Sequence, residues 1–348
     1  MKSTYRILIN LFFTILFVSL CFSCKKKDDP AKQNNNWQTI YQNDELDFFS
    51  IKFLDKDTGY VFGGLTTYTS PYWQFLLKTT NGGNNWTSDT CKITERIYGG
   101  IFPLGNANIL GIGDHVYKSS NTGETWADLT PELSAGSRTF GSCVIDTLSW
   151  IFTRSGEIYK TDDGGQKWQM VNYNTTGAIY ENFSFPSSLV GYTSTGGIVM
   201  DAGAGSGGSS GSILKTTDGG LSWNFLNPEP WKSSGSGMPY LTALQFITDQ
   251  IGYIATYDSK MYKTIDGGYN WLLVHENHNS NGLQHFISEE SGYYSDGITV
   301  YLTNDGGQSW KIDNYNDAPG SDILYWTFLE TGQGYALTRD HRIIKNNK

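Results

Sequence analysis

The chain is poor in cysteine, in positive charge and in histidine, and each shortage removes a class of function. Four Cys in 348 residues cannot build the dense bridging framework of a small secreted domain. Cys21 and Cys24 fall in the N-terminal segment, which leaves Cys91 and Cys143 in different repeats as free buried thiols. Lys and Arg together number 25 against 34 Asp and Glu, a formal charge of −9, so the basic footprint of general nucleic-acid binding is missing. The five His show no zinc-type spacing; His275 and His278 are three apart, on a strand end and a loop. No metal and no cofactor are expected. Beyond Ile7 to Phe22 no apolar run is long enough to cross a bilayer, and no helical period follows that run.

What is abundant is glycine and aromatics, and they recur in order. Thr or Ser, any residue, Asp or Asn, any residue, Gly, two residues and Trp appear six times, ending at Trp86, Trp126, Trp168, Trp223, Trp271 and Trp310. The acidic or amide positions are Asn81, Asn121, Asp163, Asp218, Asp266 and Asp305. Steps of 40, 42, 55, 48 and 39 residues between the tryptophans suit one four-stranded propeller blade per copy. With the strands of a blade called a to d, the phrase spans the end of c, the c–d turn and the start of d. The central Asp or Asn can bond its own backbone two residues on, and Gly supplies positive φ. The indole packs between blades, burying about 150–250 Å², worth on the order of 4–6 kcal/mol before entropy. The phrase is therefore a structural staple.

Six phrases still make seven blades. After the sixth, Ile323–Leu329, Tyr335–Leu337 and Arg342–Lys345 supply strands a, b and c, and the chain stops. The missing strand d with its Trp lies at the other end, in Trp37–Tyr41. Pairing residues 342–345 with 37–41 closes an all-β, seven-bladed propeller of four-stranded antiparallel blades and removes its exposed edges. Residues 37–348 form this domain, 24–36 a polar flexible tether and 1–23 a signal peptide.

The N-terminus carries an address. Lys2 and Arg6 precede the apolar run, and Leu20-Cys21-Phe22-Ser23-Cys24 resembles a bacterial lipoprotein processing box, which implies cleavage before Cys24 and acylation of that residue. More than one acyl chain makes anchoring stable. Ordinary secretion with nearby cleavage is the alternative. Lys25 in place of Asp lacks the inner-membrane retention signal known for such lipoproteins. The run Lys25-Lys26-Lys27-Asp28-Asp29 resembles surface-export signals of Bacteroidetes lipoproteins. An outer-membrane, surface-facing lipoprotein is expected, with a periplasm-facing one as alternative. Losing Lys2 and Arg6 takes the charge from −9 to −11.

The repeats resemble the Asp-box, or BNR, repeats of sialidases, sortilin-type receptors, two-domain xyloglucanases and photosystem II assembly-factor-like propellers. The run Gly-aromatic, strand, Lys-Thr-Thr-Asp-Gly-Gly-x-x-Trp is most similar to the last group, over residues 37–348. That resemblance implies a seven-bladed fold and an assembly-type role. Fold alone does not fix activity.

Extra length marks the candidate functional face. The phrases and the a–b turns share one face, here the box face; the d–a and b–c loops form the other, the loop face. Insertions fall on the loop face: 65–74 with Tyr68, Tyr72 and Trp73; the Gly-rich 199–212; and 227–240 with Trp231, Lys232 and Tyr240. Gly203 to Gly208 mimics a phosphate loop, but no helix follows to supply an N-terminus. The arginines beyond residue 23, Arg96, Arg138, Arg154, Arg339 and Arg342, all fall near the loop-face rim. A guanidinium fork suits carboxylate or phosphate; pairing with Glu95, Glu157 or Asp340 is the simpler reading.

A catalytic reading is weaker. Arg96-Ile97-Tyr98 lacks the Pro of the sialidase signature, and seven blades depart from that family's six. The xyloglucanase likeness implies paired carboxylates across two propellers, and one is present. Asp114, Asp258, Asp296 and Asp340 recur in b–c turns, where Asp is a standard turn residue. The expected function is a monomeric, non-enzymatic binding or assembly scaffold that docks a protein, glycan or anionic partner on the loop face, through Tyr72, Trp73, Trp231, Tyr240 and the arginines. A glycan-active hydrolase or lyase using the same face is the alternative.

Overall fold

The computed structural model describes residues 36–346, apart from 67–73, 92, 94–96, 98–99, 106, 132–138, 155, 174–177, 199–209, 235–237, 277–282 and 314–320. The predicted signal peptide, Cys24 and nearly all of the tether lie outside the described residues. Each repeat folds into an antiparallel sheet whose strands follow chain order, except that the seventh takes its outer strand from the N-terminal end. There are seven such sheets, one per blade, numbered here from Leu46. Strands b are buried along their length, as in Gly252–Thr256 and Gly334–Thr338, whereas strands d such as Leu272–Glu276 are largely exposed. A strand covered on both faces reads as a continuous apolar run, which is why the "Gly-Tyr-Ile-Ala-Thr" type of segment does not alternate.

Closure follows the expected pairing. Trp37–Gln42 lies antiparallel to Arg342–Asn346, with Trp37 opposite Asn346 and Gln38 opposite Lys345. Trp37 is fully buried and meets Tyr293 and Phe328 edge-on at 6.1 Å. Its indole N–H donates to Asp313 at 3.2 Å, so the first strand is pinned to blade 6 as well. Asn346, also buried, donates to the Gly332 carbonyl and accepts from the Gly334 amide at 2.8 Å.

The six phrases repeat one hydrogen-bond pattern. The Thr or Ser hydroxyl accepts the amide of the phrase's Gly at 2.8–3.1 Å in every copy. The Asp or Asn Oδ1 accepts an amide four residues on, at 2.9–3.0 Å, not two as expected from a simple Asx turn. The longer reach arises because the Thr or Ser hydroxyl donates to the same Oδ1 and turns the carboxyl or amide across the loop. The indoles are shared between their own blade and the preceding one. Trp86 meets Phe53 of its own sheet and Tyr41 of blade 7, and Trp168 donates to the Leu129 carbonyl of blade 2.

A second staple accompanies the first. Tyr192, Tyr253 and Tyr335, which follow the Gly of strand b, stack at 3.4–3.5 Å on Phe246, Phe286 and Phe53 of the next blade. Their hydroxyls donate to backbone carbonyls in that blade's a–b turn. Lys215 and Lys263, each just before a phrase, and Lys345 in strand c of blade 7 lie 5.2–5.4 Å over the same rings. Stacked aromatic pairs add about 0.5–1.5 kcal/mol beyond area burial, and a cation over the face adds to that. The Gly-Tyr and Lys-Thr steps of the sequence are thus two halves of one inter-blade joint.

Candidate functional site: the loop face and the axial channel

The loop face is built from whatever each blade adds between strands. The 4-to-5 connection forms a short helix, Trp231–Ser234, and a strand, Met238–Pro239, that pairs with Ser210–Thr216 as a fifth strand of blade 4. Neither element was anticipated. Trp231 is only 8% exposed and packs edge-on against Tyr262 at 5.1 Å, within a cluster holding Met238, Leu241 and Trp271. The structure therefore places it in the core, not on the surface as an anchor: an insertion this rich in Gly and Ser needs a large apolar side chain to hold it down. Tyr240 stays half-buried and donates to Glu181 at 2.8 Å.

The arginines separate. Arg342 is buried and paired with Asp340, whose carboxyl also accepts from Ser321 and Thr338. Against desolvation, the Arg342 guanidinium and these hydroxyls hold the Asp340 pKa at about 2. Arg342 is thus a structural charge, as the simpler reading had it. Arg339 is exposed and bonded to Asp322 at 2.9 Å. Arg154 ends its strand opposite Glu157, with its Nε buried and no partner for that atom among the described residues. Arg96, Arg138, Tyr72 and Trp73 lie outside the described residues. The b–c turn carboxylates act as turn residues: Asp296 accepts the amides of Ile298 and Thr299, and Asp258 pairs with Lys260 at 2.7 Å.

Along the axis the innermost strands bring one position of every blade to a common level. Lys52, Ser184, Gln245, His285 and Thr327 each pair with the first aromatic residue of strand b, and Phe102 and Cys143 pair with Leu110 and Ile151. Some bridge to the next blade: Gln245 bonds both the amide and the carbonyl of Phe286 at 2.8 Å. Lys52 meets solvent in the channel, yet the surrounding strands desolvate it and lower its pKa, with Cys143 opposing that shift. Burial raises the Cys143 thiol to about 12 and lowers His285 to about 4. Among the described residues Cys91 and Cys143 are free thiols, Cys91 buried and Cys143 partly so. At neutral pH the ring thus carries inert thiol and neutral imidazole, and no arrangement for nucleophilic catalysis. Among the described residues no group of three His, Cys, Asp or Glu could hold a metal.

With this geometry in place, known proteins supply the comparison. A family model described as photosynthesis system II assembly factor YCF48 matches residues 29–197. The chain resembles photosystem II assembly-factor propellers. A photosystem II assembly lipoprotein Ycf48 from Synechococcus sp. (strain CC9902) is 19% identical over 337 residues, covering 92% of this chain and 91% of that protein. The Prochlorococcus marinus (strain MIT 9313) counterpart is 24% identical over 346 residues, with 95% of each covered. The solved structure of YCF48 bound to a D1 peptide superposes with TM-score 0.69 at 17% identity, covering 92% of this chain and 97% of that one. A GH74 xyloglucanase from Xanthomonas campestris reaches TM-score 0.59 at 12% identity, over 88% of this chain and 60% of the enzyme; this is a likeness of fold. The curated relatives are named as assembly proteins rather than enzymes, in agreement with the non-enzymatic reading.

One residue of the loop face was missed by sequence reasoning. Glu181 sits in strand a of blade 4, where burial raises its pKa and the Tyr240 hydroxyl opposes the shift. Its only sequence signal was an acidic residue in an otherwise apolar strand, Ala178–Ser184, flanked by Tyr180 and Asn182.

Proposed function

We propose that the protein is a lipid-anchored, non-enzymatic propeller that serves as an assembly scaffold, docking a protein segment on the loop face. The similarity to assembly lipoproteins across nearly the full length carries this reading, and one such relative has been solved with a D1 peptide bound. Cys24 would hold the acyl anchor. The Lys-Asp run after it favours the outer membrane and outward exposure. The docking surface comprises Arg339, Arg154 and the Glu181–Tyr240 pair, together with Arg96, Arg138, Tyr72 and Trp73. The xyloglucanase likeness brings no substrate with it, so the glycan-active alternative has no observation in its favour.

Two measurements test the proposal. Cys24→Ala should move the protein from the membrane to the soluble fraction of its host; unchanged membrane partition removes the anchor. A photo-cross-linking residue placed at Tyr240 should give discrete protein adducts in the native envelope, while one at Leu221 on the box face should not. Equal adduct patterns from both faces would remove loop-face docking.

A further inference from the structure

The N-terminal strand enters the propeller on the box face. Trp37 stands opposite Asn346, which bonds Gly332 and Gly334 at the a–b turn of blade 7. Asn36 donates to Asp313 of blade 6. The matching residues of blades 2 and 4, Leu129 and Leu226, pack on Gly165 and Gly268 in the next blade's phrase. Asn36 and Trp37 therefore stand where blade 7 would carry its own phrase. Cys24 lies thirteen residues before Trp37. A chain of that length reaches at most roughly 45 Å and as a coil averages about 20 Å end to end. An anchor at Cys24 thus holds the box face nearest the bilayer.

That face is apolar on one side only. Leu148, Leu189, Leu221, Ile265 and Tyr269, in blades 3, 4 and 5, are 47–72% exposed. The carbonyls of Leu148 and Leu189 each accept an amide from the adjoining phrase, and in blades 1, 5 and 6 that place is held by Asp57, Gln250 and Glu290. Leu221 and Tyr269 follow the phrase's Gly, where blades 1, 2, 3 and 6 carry Asn84, Glu124, Gln166 and Gln308. These turns close as well with a polar residue, so the fold does not account for the apolar choice. Leu54 of blade 1 is exposed too, but its place is Ile or Leu in blades 3, 5, 6 and 7 and marks no side. Blades 3 and 4 lie across the ring from blade 7, so anchor and patch would hold the disc at two separate points.

The polar groups beside the patch suit a neutral headgroup layer. Lys215 lies 5.3 Å over the Tyr269 ring, an amphipathic pair of the kind that settles at a lipid–water boundary. Asp218 and Asp266 already accept hydrogen bonds from Ser222 and Asn270 of their own turns. Blade 6, by contrast, gathers Glu289, Glu290 and Asp305 around one hollow, where Lys263 bonds the Glu289 carbonyl. Such a face has no basic cluster to draw it to anionic lipid, which leaves apolar insertion as the attraction.

We propose that the box face lies on the lipid surface, with the patch of blades 3 to 5 inserted among zwitterionic headgroups and the loop face turned away. This rests on the reading of Cys24 as the anchor. Anchoring makes insertion intramolecular, so a patch too weak to bind a membrane alone is sufficient. The test places a photo-cross-linking residue at Ile265, Gln308 or Tyr240 of the full-length acylated protein in phosphatidylcholine vesicles, with lipid adducts read by mass spectrometry. Position 265 should yield about fivefold more lipid adduct than position 308 or 240. Leu189→Glu with Leu221→Glu should remove most of that yield while the protein stays on the vesicles. Blades 6 and 2 already carry Glu at these two places, as Glu290 and Glu124, so the turns tolerate it. Equal lipid adducts at positions 265 and 240 or at 265 and 308, or an unchanged yield in the double variant, would overturn the orientation and leave the anchor standing. A protein adduct in place of lipid at position 265 in the native envelope would also overturn it. Wild-type protein that fails to stay on membranes would remove the anchor, and this orientation with it.

Discussion

The two faces of the propeller obey different rules. On the box face, six turns of differing sequence make the same three hydrogen bonds within a few tenths of an ångström. On the loop face the described connections differ: that from blade 4 to blade 5 carries a helix and an extra strand, whereas the b–c turn of blade 7 holds a buried Arg342 on Asp340 beside an exposed Arg339 on Asp322. Satisfied backbone and interlocked rings make the first face a frame. The second is free to vary because the frame supports it. Regularity in a repeat protein therefore reports stability, and departures from it mark where chemistry can differ.

The sharpest way to break this comparison is at the seam. Trp37→Ala removes a fully buried indole and the donor to Asp313, and should cost about 3–5 kcal/mol in urea unfolding. A loss below about 1 kcal/mol would show that closure does not depend on the first strand. Trp231→Ala comes next, with a cost of about 3 kcal/mol, because this loop-face residue belongs by burial to the frame. Wild-type stability would return it to the surface role first expected of it.

Two glycines separate packing from backbone conformation. A Cβ on Gly83, at φ +87°, would lie 2.4 Å from Ile40 of the neighbouring blade, whereas one on Gly105, at φ +82°, meets nothing within 4 Å. Gly105→Ala should cost about 1 kcal/mol from the left-handed backbone alone, and Gly83→Ala about 1–3 kcal/mol more from overpacking. Equal costs would mean that the box-face Gly serves only the turn.

Acid should loosen the box face. Hydrogen bonds from the Ser309 hydroxyl and amide hold Asp305 at about 2; against desolvation, the Ser222 hydroxyl and amide do the same for Asp218. Unfolded Asp titrates near 3.9. Because the folded pKa is the lower one, the stabilisation is complete above about pH 4 and is lost as pH falls from about 4 to 2. Asp305→Asn, which keeps the amide acceptor, should flatten that decline in pH-dependent unfolding; an unchanged slope would assign it to other carboxylates. The smallest expected effect is Arg339→Ala. Its exposed pair with Asp322 should change stability by less than about 0.5 kcal/mol, so any loss of partner binding in that variant reads as function.

The frame was legible from sequence because its causes are local. Thr, Asp, Gly and Trp at fixed offsets close a turn by themselves, whereas the Tyr–Phe staple went unread because its stacking partner lies in another blade. The short strand around Trp37 was also legible, since an unmatched fourth strand at one end required a loose one at the other. The loop face was much less so. Nothing near Trp231 distinguishes an anchor from a plug, because its cluster comes from residues of blades 4 and 5 brought together by the fold. The five arginines looked alike in sequence, yet Arg342 lies buried on Asp340 while Arg339 stands in solvent.

Sequence alone determined the number of blades, their closure and the turn chemistry, since each rests on hydrogen bonds and ring contacts that a fixed spacing specifies. Tertiary structure alone decided which side chains face solvent, which carboxyl is desolvated at Glu181, and that the apolar turn residues of blades 3 to 5 share one side of the box face. Those outcomes depend on how neighbouring blades meet, and burial and Coulomb interactions between them are set by distances in space, not by separation along the chain.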